Sequence, residues 1–257
     1  MSEYERINHV GFTIVIEHDD DCGNPRAVDP TMNASLFLGL RHRRYAIGDE
    51  ELDLDDYCDA DGGHPASVEE LMDAVAARHD AAYICKVGMI DHSGVAYYFG
   101  GGASASDPGG WDSGTCGFLL YPRAMLAECG LVPSDVLDDA KFEEWARGEI
   151  QEYSDWASGN CYGYRILDCN GDEVDACWGF IGDPVIYHSD RKPEDAWWLT
   201  EARQIAERHH TVVPLHVVQF TDVEIDHMRV LLAMDSDLDF DALDVKLQNA
   251  RREAWGT

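Results

Sequence analysis

Apolar positions in this chain come in short alternating or β-branched runs, broken by glycine and carboxylate turns, with stretches of helical spacing between them. HVGFTIVIEHD (9–19) has the β-branched richness of a strand and runs into the turn-forming DDDCGNP. AAYICKVGMI and GVAYYFG flank DHSG (91–94), which predicts a β-hairpin with Gly94 supplying the turn geometry. WDSGTCGFLLYP gives the next strand. A second hairpin spans NCYGYRILDCNGDEVDACWGFIG, with Asn170-Gly171 as its turn and aromatic-Gly-aromatic triplets on its arms. Helical spacing predicts SVEELMDAVAARHD, where Ser67 and Glu70 form a capping box and Val68, Leu71, Met72, Val75 and Ala76 share a face. RAMLAECG reads as a short helix stopped by Gly130, and PSDVLDDAKFEEWARGEIQEY as a longer one with Ser134 at its N-cap. Beyond 183, KPEDAWWLTEARQIAERHH is helical, TVVPLHVVQF is strand-like, and two further helical segments follow. The expectation is an α+β fold, a mainly antiparallel sheet built from β-hairpins with several packed helices. A core domain over 1–183 would carry a mostly helical C-terminal extension over 184–257, either separate or packed on the same domain.

Composition changes this picture in one respect. The 257 residues are 45% hydrophobic, ample for a core, but 50 acids stand against 19 bases for a formal net charge of −31. Such a field repels nucleic acid and anionic membrane and attracts basic surfaces. RHRRY (41–45) is the one basic cluster, and it is short. The acids favour Asp over Glu and the bases Arg over Lys, a skew that also fits a salt-adapted or GC-rich source. No apolar run approaches the roughly 20 residues of a membrane span, and the opening MSEYERINHVGF lacks a secretory pattern. Eight cysteines without a Cys-x-x-Cys pair suit a reducing cytoplasm with free thiols.

Several motifs carry candidate chemistry. DCNGDEVD alternates Asp168, Asn170 and Asp172 as a calcium loop does, but Glu173 stands where such a loop needs glycine and Gly179 where it needs glutamate. The acidic DSDLDFD (235–241) also lacks the glycine. The histidines of HHTVVPLH show no zinc-site spacing. DHSG and WDSG supply hydrolase residue types in Asp91, His92, Ser93, Asp112 and Ser113, though Asp-x-Ser-Gly is also a common tight turn. GGGASASDPGG lacks the Gly-Lys-Ser/Thr ending of a phosphate loop.

The densest feature is GDEELDLDDYCDADGG (48–63), with eight carboxylates between Asp49 and Asp61. Carboxylates two apart on a strand, or three and four apart on a helix, are about 5–7 Å from one another, close to the phosphate spacing along a nucleic-acid strand. Asp53, Asp55, Asp56, Asp59 and Asp61, with Asp135, Asp138, Asp139, Glu143 and Glu144 on the long helix, could therefore occupy the basic groove of a nucleic-acid-binding protein.

NPR (24–26), HRRY followed by GD (42–49), DHSG, WDSGTCGF (111–118), GNCYGY (159–164) and DACWGF (175–180) together resemble a family of functionally uncharacterised bacteriophage and plasmid proteins. The resemblance spans roughly 9–183. It implies a mobile-element origin and carries over no catalytic residue. The leading expectation is a cytoplasmic counter-defence protein that binds and inhibits a basic nucleic-acid-handling host protein, such as a defence nuclease, by charge mimicry. It would need no cofactor and no metal, with Trp111, Trp178 and Phe180 holding the sheet. One alternative is a hydrolase, with or without a metal, using Asp91, His92 and Asp112. Another is a salt-adapted acidic protein without a basic partner.

Overall fold

The computed structural model describes residues 2–27, 33–58, 61–131, 138–186 and 193–212. Its strands are β1 (Glu3–His9), β2 (Phe12–His18), β3 (Leu36–Gly39), β4 (Glu50–Glu51), β5 (Ala81–Asp91), β6 (Val95–Phe99), β7 (Ser113–Pro122), β8 (Cys161–Leu167), β9 (Glu173–Ile181), β10 (Val185–Ile186) and β11 (Glu194–Asp195). Its helices are α1 (Val68–Arg78), α2 (Arg123–Glu128), α3 (Asp139–Ala157) and α4 (Trp197–Val212), with one 3-10 turn over Leu54–Tyr57. Every strand pair is antiparallel except β3 with β4, so the fold is α+β. The chain divides into a compact unit over Met1–Ala206 and a second over Glu207–Thr257.

The five-stranded sheet has the order β4-β3-β7-β5-β6. Its central strand β7 alternates between two buried faces, which is why CGFLLYP reads as a continuous apolar run. Leu119 and Tyr121 pack with Phe142, Ala146, Ile150 and Tyr153 of α3. Phe118 and Leu120 pack on the opposite side with Leu71 and Val75 of α1. The result is a sheet held between two helices, each presenting the apolar stripe of its 3.6-residue period. The four-stranded sheet, order β1-β2-β8-β9, sets Ile14, Ile16, Tyr164 and Ile166 against Trp198, Leu199, Ala202 and Ala206 of α4.

The N-terminal part of the expected extension packs on the four-stranded sheet. The compact unit runs past 183 to Ala206, because the first half of α4 supplies part of the four-stranded sheet's core. Other differences have local causes. β1 has a largely exposed polar sequence and no strand-like alternation, yet it pairs with β2 across Val10-Gly11. The helix predicted from Ser134 begins at Asp139, with Asp138 at the N-cap accepting from Lys141 N; residues 132–137 lie outside the described residues. In DHSG the left-handed residue is Ser93 (φ 57°) and not Gly94. The first two residues of the strand-like TVVPLHVVQF complete α4, and the rest lies outside the described residues. Trp111, expected to hold the sheet, is 90% exposed on the loop before β7.

The first aromatic-Gly-aromatic triplet, Tyr162-Gly163-Tyr164, has a packing reason, whereas a Cβ at Gly179 of the second would meet no neighbour and Gly179 sits at φ 90°. Gly163 on β8 faces Trp178 on β9, and a Cβ at Gly163 would overlap the indole ring. A glycine opposite a tryptophan lets the ring lie flat on the sheet. The hairpin turn is held by Asp168, whose carboxylate accepts from the amides of Asn170 (2.8 Å) and Asp172 (2.9 Å), with Gly171 at φ 87°. These bonds hold the Asp168 carboxyl below its usual range. They commit the carboxylate to the turn.

Candidate functional site

Between Arg44 and Arg78 the chain carries eleven carboxylates and neither Lys nor Arg. Glu50 and Glu51 sit exposed on β4, the edge strand of the five-stranded sheet. Charge on such an edge blocks strand addition. Buried Leu52 then anchors the chain beside α1, and the 3-10 turn follows with Asp53 as its N-cap, accepting from Asp55 N at 3.0 Å. Asp53, Asp55, Asp56 and Asp61 are all exposed, as are Glu69, Glu70 and Asp73 on α1. Arg78 reaches Asp56 at 3.3 Å and Lys86 reaches Glu69 at 3.0 Å. An acidic face is thus built on ordered elements: an edge strand, a 3-10 turn and the outer side of a helix. Asp59 lies outside the described residues.

The second set of expected carboxylates is arranged differently. Asp138 serves as the α3 cap, while Glu143 pairs with Arg147 and Glu144 with Lys141, each at 2.6 Å. Asp139 is exposed in the first turn, and Asp135 lies outside the described residues. Cations of the same helix balance these acids, so the 50–73 face carries the denser uncompensated charge.

DHSG and WDSG do converge. Asp91 N donates to Asp112 O at 2.9 Å where β5 ends and β7 begins, and this places His92 Nδ1 2.9 Å from Asp112 Oδ2. Asp107 orders the second loop by accepting from Asp112 N and Ser113 Oγ, each at 2.9 Å. These bonds hold the Asp107 carboxyl below its usual range, the Asp112 amide contributing most. The His92–Asp112 pair lines an open concavity of about 510 Å³ with Ser93, Ser106, Asp107 and Ser158. Asp91 does not join it; its carboxylate lies 3.7 Å from Arg44. Among the described residues no serine hydroxyl is bonded to the imidazole, and Ser106 Oγ pairs with Ser104 Oγ. Ser93 Oγ donates to His92 O, Ser113 Oγ to Asp107 and Ser158 Oγ to Val95 O. The geometry suits a general base acting on water, not a serine nucleophile.

A third constellation joins two of the quoted motifs. Arg26 of NPR keeps only 7% of its side chain exposed and donates Nε and Nη2 to the two oxygens of Asp49, both at 2.7 Å. Its Nη1 donates to Glu149 at 2.9 Å, and Nη2 also meets Ser35. Tyr121 Oη donates to Glu149 at 2.7 Å, and Asp49 also accepts from Phe37 N at 2.7 Å. Burial works against the Arg26 charge, but Asp49 and Glu149 outweigh it and raise the pKa. A cavity of about 360 Å³ opens beside this network, lined by Arg26, Ser35, Tyr121, Trp145, Glu149 and Glu152. The guanidinium is fully engaged, so this cavity offers no spare cation for a phosphate. Glu149 was not singled out from the sequence. The available signal was an acid on the Phe142–Ala146–Ile150–Tyr153 stripe, where an apolar residue belongs.

Inside the acidic face, Asp55, Cys58 and His64 present ligand atoms that all lie within 4.8 Å of one another. Cys58 Sγ is 3.3 Å from His64 Nδ1, and His64 Nε2 is 3.7 Å from Asp55 Oδ1. Burial pushes Cys85 and Cys116 up to about 12, making them structural and inert.

No family model, no curated protein and no solved structure matches the chain. No helix among the described residues is long and apolar enough to cross a membrane.

Proposed function

We propose that this chain binds a basic, nucleic-acid-handling protein through the acidic face of residues 50–73 and blocks it by standing in for a phosphate backbone. The observation that carries the reading is the set of exposed carboxylates at Glu50, Glu51, Asp53, Asp55, Asp56 and Asp61, on a stretch with no Lys or Arg of its own. A net charge of −31 adds long-range attraction to any basic partner and raises its encounter rate. The resemblance to phage and plasmid proteins supports a mobile-element origin and the host cytoplasm as the place of action. It also supports a defence nuclease as the kind of partner. A salt-adapted surface would spread its acids evenly, and eleven carboxylates between Arg44 and Arg78 are not even. The test is capture of one basic host protein on the immobilised chain at physiological salt, persisting at about twice that ionic strength, where screening is stronger. Retention of only a diffuse set of basic proteins, all lost at the higher salt, would overturn the reading.

A second reading rests on the His92–Asp112 pair in its concavity. There the carboxylate would orient the imidazole and stabilise the imidazolium formed when Nε2 takes a proton from water. This predicts hydrolysis of chromogenic ester or phosphoester probes that falls 10²–10⁴-fold in His92→Ala, the span general-base catalysis supplies. Because His92 is an exposed turn residue, the melting temperature should not move. Equal turnover by wild type and variant would remove this reading.

A further inference from the structure

The cluster inside the acidic face has a chemistry that charge mimicry does not use. We propose that Asp55, Cys58 and His64 form a binding site for a soft divalent cation, Zn²⁺, with the fourth position open to water. The proposal does not depend on the identity of any protein partner.

The donor set selects the metal. Thiolate and imidazole favour zinc, whereas magnesium and calcium take all-oxygen sets. Three protein ligands drawn from histidine, cysteine and carboxylate, with water in the fourth position, make up zinc sites with an exchangeable position. The spacing fits as well. Zinc bonds of about 2.3 Å to sulfur and 2.1 Å to nitrogen, at a tetrahedral angle, set those atoms about 3.6 Å apart. Cys58 Sγ and His64 Nδ1 are 3.3 Å apart, within a small side-chain adjustment of that edge. Asp55 Oδ1 lies 3.7 Å from the other ring nitrogen. An ion would take one imidazole nitrogen, and the three ligand atoms, one from each residue, all lie within 4.8 Å of one another.

Local structure explains why these three meet. The 3-10 turn brings Cys58 round to the side of Asp55, with Cys58 Sγ 3.9 Å from Leu54 O at the start of that turn. Gly62, at φ 79°, reverses the chain so that His64 returns toward the turn. The cluster has no familiar sequence signature, because its ligands follow Asp-x-x-Cys-x₅-His, which is not a ribbon or finger spacing.

The surroundings favour a cation too. The neighbouring Asp53, Asp56 and Asp61 raise the local concentration of any divalent ion. As the ion binds, the Cys58 thiol gives up its proton and a Zn–S bond replaces S–H, so the site gains one positive charge overall. Such a site would tie His64 to the 3-10 turn and reduce the charge of the face by one unit.

The experiment is titration of the reduced full-length protein with Co²⁺, whose bond to thiolate gives a charge-transfer absorption, followed by displacement with Zn²⁺. One equivalent of thiolate-bound cobalt is expected, displaced by one equivalent of zinc. Cys58→Ser and His64→Ala should each abolish the absorption, while Cys169→Ser and Cys177→Ser, which alter exposed thiols elsewhere, should retain it. All four variants should keep the wild-type far-ultraviolet circular dichroism, because no side chain of the cluster is in the core. Absence of thiolate absorption in the wild type, or its persistence in Cys58→Ser, would overturn the assignment. Neither outcome bears on capture of a basic protein, which is measured on metal-free chain.

Discussion

Replacing Arg26 by leucine is expected to lower the free energy of unfolding by about 3 kcal/mol, the low end of the cost of breaking a buried ion pair. The Arg26 side chain is 7% exposed, and its removal leaves Asp49 and Glu149 facing each other without their shared cation. The Asp49 and Glu149 side chains keep 20% and 31% exposure, so water would soften the penalty without removing it. Arg26→Lys should recover only part of the loss, because an ammonium cannot donate in parallel to both oxygens of Asp49 while reaching Glu149. The exposed Arg6–Glu3 pair is the contrast: Arg6→Leu should change stability by no more than about 1 kcal/mol. Urea unfolding of the three variants checks the order. If Arg26→Leu proved no worse than Arg6→Leu, the network would not be the tie between the 24–49 segment and α3 described above.

Neutralising the acidic face should have the largest effect on binding and almost none on folding. The informative variant changes Glu50 and Glu51 to glutamine and Asp53, Asp56 and Asp61 to asparagine, leaving Asp55 so that the metal site stays intact. Asparagine remains a good N-cap, so Asp53→Asn preserves the start of the 3-10 turn. Removing five charges from one surface should weaken capture of a basic partner on the order of a hundredfold at low salt, mostly through slower association, with a smaller difference as salt rises. Stability should stay level or rise slightly as self-repulsion is relieved. The same treatment of Asp139, Glu143 and Glu144 should do less, because Lys141 and Arg147 already balance two of those acids. Equal losses from both sets would mean that net charge acts without a defined face.

Much of this architecture can be read from the residue pattern, for identifiable reasons. The hairpins at DHSG and Asn170-Gly171 are local, each fixed by a turn and two apolar arms, and α1 carries its own capping signal in Ser67, which accepts from Glu70 N at 3.1 Å. Long-range placement was less visible. β1 pairs although its own sequence is polar, and β4 is two glutamates whose strand character comes only from lying parallel to β3. The candidate sites divide the same way. His92 and Asp112 were found because each sits in a recognisable turn, but that Asp91 turns away to Arg44 depends on the ends of two strands. The Arg26–Asp49–Glu149 network joins residues separated by up to 123 positions, and the one local trace was a glutamate on an apolar helix stripe. Part of the run of carboxylates from Asp49 to Asp61 has a structural use, since Asp49 holds Arg26 and Asp53 caps a turn. Glu50, Glu51, Asp55, Asp56 and Asp61 are exposed.

The most direct measurement of the central claim is competition. A host protein captured by the immobilised chain should be released by short duplex DNA at concentrations near that protein's own affinity for DNA, and an uncharged polymer at the same mass should release nothing. The acidic face and the phosphate backbone would then exclude each other from one basic groove. A captured protein that binds duplex DNA and this chain at the same time, with neither displacing the other, would contradict nucleic-acid mimicry.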